Sequence, residues 1–328
     1  MITLSNRTSS RTLAHITASL PELLKTSFKS TLILMFFTPL VAWGNGSDKQ
    51  SLSVNKSPLQ EVTTLANSGI VPPLNIYGAD GISVAQNGDI FVSGGPVTKS
   101  VIRITADGVV SEFATGFQSA NGSDFDSAGN LFVADYKANA IRRITPDGTV
   151  STFATDLDGP AGVYIDNEDN VIVGLYGANF SGKAATVLSI TPEGVSSILA
   201  SGDGLLDVIG VVGDEKGNVY AGNYKKRQLY QITDGNVSLL TTASVKINMI
   251  DYSHGYIYIA NDGRIVRVNA STGEEEVVSG TPEAKTVNGP IEKADFVMPT
   301  SVAFSPDEKI LYVVDSVTGD VRKIAPKE

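Results

Sequence analysis

The 328-residue chain contains no cysteine. Disulfides, thiol nucleophiles and cysteine-built metal sites are therefore excluded. Histidine is almost as scarce: His15 and His254 are the two present. A multi-histidine zinc site cannot be assembled, and a Ser-His-Asp triad would have to use His254. Aromatic residues make up 7% of the chain, with one Trp. Basic residues are outnumbered, 25 Lys and Arg against 35 Asp and Glu, for a net charge of -10. Phosphate backbones are held by basic surfaces, so nucleic acid is not an expected partner.

Long apolar runs are also missing, with one exception. TLILMFFTPLVA (31–42) follows Lys25 and Lys29. At about 12 residues it is too short for an ordinary membrane-spanning helix. Ala42-Trp43-Gly44 supplies small residues at the two cleavage-site positions. This pattern predicts an export signal over residues 1–44, with an extended n-region, and a polar tether over 45–58 (NGSDKQSLSVNKSP). The mature protein is expected in the periplasm or medium, with no stable membrane span after cleavage. An uncleaved membrane anchor is the alternative reading of 31–42.

What the chain has in quantity is glycine, 32 residues, and a repeat. GDIFVSGG (from Gly88), GNLFVADY (Gly129), DNVIVGLY (Asp169), GNVYAGNY (Gly217), GYIYIAND (Gly255) and EKILYVVDS (Glu308) are six copies of one phrase. Each is followed by a second strand-like run, such as AIRRIT (140–145). After five of them a turn (ADG, PDG, PEG, DGN) leads into an outer strand such as TVSTFAT (149–155). Runs such as Leu131-Phe132-Val133-Ala134 are apolar on both faces, so both faces must be covered. Radially stacked four-stranded sheets achieve this, and about 45 residues per repeat suits one blade. The sixth copy ends the chain after its third strand, while LQEVTTLAN (59–67) reads like a spare outer strand. The predicted fold is an all-β, six-bladed β-propeller over 59–328, closed by the N-terminal strand completing the last blade.

The Gly-led strand, the Asp of LFVADY and the following IRRI resemble the NHL-repeat family of six-bladed propellers. That resemblance implies a fold and leaves function open.

Chemistry then belongs where the copies differ at one shared position. Counting back from each turn gives Asp80, Asn121, Ala161, Ile209, Asn248 and Thr300 as a ring at one mouth of the central channel. Asn248, Thr300, Asp80 and Asn121 form a polar arc; Ala161 and Ile209 form the other side. One carboxylate with two amide oxygens and a hydroxyl is a hard-oxygen set of the kind Ca²⁺ or Mg²⁺ takes. The other reading is that these groups solvate a wet channel. Tyr136, Tyr176 and Tyr224 end their strands at the same level; they either wall the mouth or pack between blades. Asp135, Asn223, Asn261 and Asp315 are expected to accept backbone N–H groups in the next turn.

ADGISVAQNGDIFV, ANGSDFDSAGNLF and INMIDYSHGYIYIA resemble segments of the regucalcin and gluconolactonase family, also six-bladed. The resemblance implies a divalent metal of the Ca²⁺ type, held by Asp80, Asn121 and Asn248, with Asp80 as catalytic ligand or base. It also implies substrate contact by Asn121, to which the arc adds Thr300 and the three tyrosines. The family's metal-binding Glu has no counterpart, since no copy begins with Glu. Two functions follow: a metal-dependent hydrolase of lactones or similar esters, or a non-enzymatic propeller that binds a small molecule, glycan or protein at its mouth.

Overall fold

The structure is a computed structural model and describes residues 59–67 and 78–327. The export signal and the tether lie outside the described residues. Within them the six copies form six antiparallel four-stranded blades. In blade 1 the strands run outward as Gly81–Val84, Ile90–Ser93, Ser100–Ile104 and Val110–Thr115. The inner strands of blades 2 to 6 are Ala120–Phe125, Pro160–Ile165, Val208–Gly213, Ile250–Ser253 and Pro299–Phe304. Each inner strand touches the next, and the sixth touches the first, so the ring is closed.

Closure follows the predicted route. Glu61–Asn67 pairs antiparallel with Asp320–Ala325, with Val62 opposite Ile324. One element is additional: Gly289–Pro290 pairs with Glu61 and Val62 and gives the last blade a fifth strand. It belongs to the long connection 281–299, much of which covers the outer edge of blade 6. Arg322, fully buried, holds it there by donating to the carbonyls of Asp295 and Val287 and to Asn288 Oδ1.

The core explains why the strands are apolar on both faces. It consists of six clusters, one at each interface between neighbouring blades. Side chains alternate along a strand. Thus Leu131 and Val133 pack toward blade 1, while Phe132 and Ala134 pack toward blade 3. Each such fully buried side chain contributes about 1.5–3 kcal/mol.

Near the axis the strands come closer still. A Cβ on Gly81, Gly122, Gly162 or Gly210 would lie 2.4, 2.6, 2.0 and 2.3 Å from the carbonyl oxygens of Asn121, Ala161, Ile209 and Asn248 respectively. Glycine is required because each backbone sits against its neighbour's. In blades 5 and 6 the matching positions hold Met249 and Ser301. The Met249 sulfur lies 3.0 Å from the Cβ position of Gly122, and Met249 and Ser301 line a void of about 30 Å³. The channel is thus pinched at mid-height, and its two ends are separate places.

Candidate functional site

We call the end where the inner strands begin the upper mouth. The repeat register places the predicted ring there. Asn121, Ala161, Ile209 and Thr300 are the second residues of their inner strands, Asp80 directly precedes Gly81, and Asn248 lies two residues before Ile250. Asp80 is fixed by its own N–H, which donates to the Ser93 carbonyl at 3.1 Å. Gly94-Gly95-Pro96 turns over it: Gly95 has φ of +58°, and a Cβ there would meet Asp80 Oδ2 at 3.1 Å. The turn needs glycine both for its backbone angle and for room beside the carboxylate.

Asp80 and Asn121 are brought together. The Asn121 side-chain N–H group donates to Asp80 Oδ2 at 3.4 Å, and Asn121 Oδ1 accepts from Ser119 Oγ at 3.0 Å. Asp80 keeps some contact with water, yet burial pushes its carboxyl up to about 6. A carboxylate titrating there is near the range useful for proton transfer at neutral pH. Thr300 is buried, and its hydroxyl donates to the Ala79 carbonyl at 3.1 Å, tying blade 6 to blade 1. Asn248 is half-buried, with its carbonyl against Gly210.

Among the described residues no three His, Asp or Glu side chains converge on one point. The upper mouth offers one carboxylate. Its nearest neutral partner turns an N–H toward that carboxylate, in the place a cation would need. As arranged, the set does not fit an oxygen cage for Ca²⁺.

The three tyrosines divide. Tyr136 is buried; its hydroxyl donates to the Gly177 carbonyl at 2.7 Å and accepts the Phe180 N–H. It pins the enlarged 176–185 loop to blade 2. Tyr176 and Tyr224 are half-buried on the rim, each beneath a lysine: Lys225 Nζ lies 5.6 Å from the Tyr176 ring centre and Lys246 Nζ 5.7 Å from that of Tyr224. These lysines were not singled out in the sequence, because each pair joins two blades.

The second ring binds backbone, as its residue types suggested. Asp135 Oδ1 accepts the N–H groups of Gln118 and Ser119 at 2.9 and 2.8 Å. Asp315 does the same for Val297 and Met298. Asn223 accepts from Leu206 N–H. His254 stands in the turn at the opposite end, its Nδ1 2.9 Å from Glu308 Oε2 and its side chain exposed.

No protein-family model matches the sequence, and no curated protein sequence matches it. Solved structures do share the fold. An auxiliary nutrient binding protein from Bacteroides ovatus superposes with a TM-score of 0.66 at 14% identity, over 83% of this chain and 78% of that one. A gluconolactonase from Xanthomonas campestris gives 0.64 at 11% identity, over 82% and 90%. A streptogramin B lyase gives 0.63 at 12% identity, over 82% and 98%. At such identities the likeness is one of fold, and the three proteins differ in role.

Proposed function

We propose that this is an exported propeller that binds a small lactone or related ester at its upper mouth and hydrolyses it with Asp80 as general base. The observation that carries this reading is the Asp80 carboxyl, lifted to about 6 by burial at the ring position where the blades diverge. Asn121 holds the carboxylate from one side. The ionised Asp80 takes a proton from a water molecule as its oxygen bonds to the substrate carbonyl carbon. The ring C–O bond then breaks, and the proton passes to the departing oxygen, giving a hydroxy acid. Lys225 and Lys246, over their tyrosines, place positive charge on the rim where an anionic substrate or product would be drawn. The fold shared with a gluconolactonase supports this chemistry.

The test is hydrolysis of a panel of sugar-acid lactones across pH. Activity should rise through about pH 6, and Asp80→Asn should lower kcat/KM by about a hundredfold or more. An equally active Asp80→Asn protein would reject the assignment. The calcium form of the reaction is tested by the same assay with chelator: complete loss of activity there would restore Asp80, Asn121 and Asn248 as metal ligands. The Tyr–Lys rim also favours a second reading, a binding propeller without chemistry, in keeping with the nutrient-binding neighbour. Saturable binding of a glycan or lactone without turnover would select it.

A further inference from the structure

Most large apolar side chains on the surface stand singly, as Ile198, Leu239 and Val277 do on the outermost strands of blades 3, 4 and 5. Three others fall together. Val97, Met298 and Val317 are exposed between 41 and 50%, and all stand on the upper turns of blades 6 and 1, which meet at the ring's closure. Val97 lies in the short helix Gly95–Thr98, whose first residue turns over Asp80. Met298 directly precedes the inner strand Pro299–Phe304. Val317 follows the second strand of the same blade, Leu311–Asp315.

These turns are bound to one another and to the backbone that carries Asp80. The Gly78 N–H donates to the Ser316 carbonyl at 2.8 Å, and the Ser316 N–H donates to the Met298 carbonyl at 3.0 Å. A Cβ on Gly78 would lie 2.8 Å from Val97 Cγ2, so Val97 rests against the chain two residues before Asp80. Two residues beyond Met298, the Thr300 hydroxyl holds the carbonyl of Ala79. No Asp, Glu, Lys or Arg occurs in the turns 94–98, 297–299 and 316–318. The matching turns of blades 2 and 4 are charged, with Lys137 in one and Lys225, Lys226 and Arg227 in the other. The lower mouth, where the inner strands end, has no such surface. Asp124, Tyr164 and Asp251 are among the residues lining its chamber of about 200 Å³, and none of the exposed large apolar side chains is.

We propose that Val97, Met298 and Val317 form an apolar shelf beside Asp80 that binds the hydrocarbon substituent of the substrate, so that the ester cleaved at the upper mouth is an alkyl-substituted lactone and not a polyhydroxylated one. The inference rests on the reading of Asp80 as the base of a lactone hydrolase, and narrows it. Water over exposed apolar side chains is released when a hydrocarbon covers them, and the gain follows the area covered. A sugar lactone would bring hydroxyls against the shelf, where they lose water and find no donor or acceptor in its side chains. An alkyl chain carries no such groups. The uncharged turns suit this occupant for the same reason, since charged ones would keep their own water. Small-molecule sites join a largely apolar wall to a few polar groups that fix the reacting atoms, here Asp80 and Asn121.

The probes are γ-butyrolactone, γ-hexalactone and γ-octalactone, with glucono-δ-lactone beside them. kcat/KM should rise about two- to fourfold for each added CH2 and exceed the value for glucono-δ-lactone. Val97→Ser, Met298→Ser and Val317→Ser should each flatten that slope, the triple substitution most, through KM and not kcat. Ile198→Ser removes an equally exposed apolar side chain from the outer strand of blade 3 and should keep the slope. A native chain that cleaves γ-butyrolactone and γ-octalactone equally well, or prefers glucono-δ-lactone, would overturn the shelf and leave the assignment of Asp80 standing. Calorimetric titration of the Asp80→Asn chain with the same lactones separates binding from cleavage. Binding that tightens from γ-butyrolactone to γ-octalactone supports the shelf; equal or absent binding overturns it. If the native chain cleaves none of the lactones, the reading of Asp80 fails and the shelf stands or falls on this titration. Serine variants that lose thermal stability but keep the slope would show the three side chains packing against the protein itself, which also overturns the proposal.

Discussion

The two ends of the channel are built from the same six inner strands, and they differ in charge. The upper mouth holds one carboxylate, Asp80, steadied by an amide, while two lysines sit over tyrosines elsewhere on the rim. The lower mouth holds two, Asp124 and Asp251, each fixed by backbone N–H groups and without a cation among the chamber's lining residues. Burial raises all three carboxyls. One carboxyl lifted by burial and held by an amide is suited to moving a proton. Two in a like-charged field favour holding protons of their own. Polarity at a propeller's axis is thus set separately at each end, because the pinch at Met249 keeps the ends apart.

Removing the ring's closure would erase the comparison altogether. Deleting residues 59–67 exposes the edge of Asp320–Ala325 and takes Leu59 and Val62 from the core between blades 5 and 6. The expected loss is several kcal/mol, a large share of a domain's stability, with function lost at the upper mouth. Denaturant unfolding measures it; a truncated protein with the midpoint of the intact chain would show that the strand does not close the ring.

Joining the two mouths is the next largest change. Met249→Ala removes the side chain that meets Gly122 across the pinch. The cost should be about 3 kcal/mol, from lost packing and the cavity left behind. If the pinch isolates the ends, opening it should let water reach Asp80 from below and move the activity midpoint down from about pH 6. An unchanged midpoint in a destabilised variant would mean that Met249 is not what separates the ends.

A smaller effect comes from protons. Burial lifts Asp251 from 3.8 to about 7 and Asp124 to about 6. The folded protein therefore keeps protons that the unfolded chain has released. Stability from them is complete below about pH 4 and is lost as pH rises through 6 to 7. The fall should be several kcal/mol (~1.4 kcal/mol per pKa unit) across that window, and smaller in Asp251→Asn. Melting at pH 5 and pH 7.5 reads this directly; a stability that climbs over the same range would contradict the buried, proton-holding carboxyls.

Much of the frame was legible in the residues. Six copies of a Gly-led phrase, a missing last strand and a spare first one specify a closed propeller, since each strand is apolar on both faces and only stacked blades cover both. That Asp135 binds backbone was legible from its residue type, but not where: its partners, Gln118 and Ser119, precede the blade's inner strand rather than lying in the next turn. The lower mouth also left a trace. Asn121 and Asn248 each stand three residues before an Asp, Asp124 and Asp251, a spacing the other four copies lack. Counting from strand starts drew attention to the asparagines and passed over the carboxylates that end the same strands.

The sequence by itself determined the period, the alternation of each strand between two neighbours and the closure, because these depend on residues close together in the chain or on one repeated pattern. Tertiary structure alone decided which polar groups share a space. It set Tyr136 under a loop of the next blade, stacked Lys225 on Tyr176, turned the amide of Asn121 toward Asp80, and placed Asp124 opposite Asp251 over a separation of more than a hundred residues. The physical reason is that desolvation and charge depend on what surrounds a group in space, and at the axis of a ring those surroundings come from every blade at once.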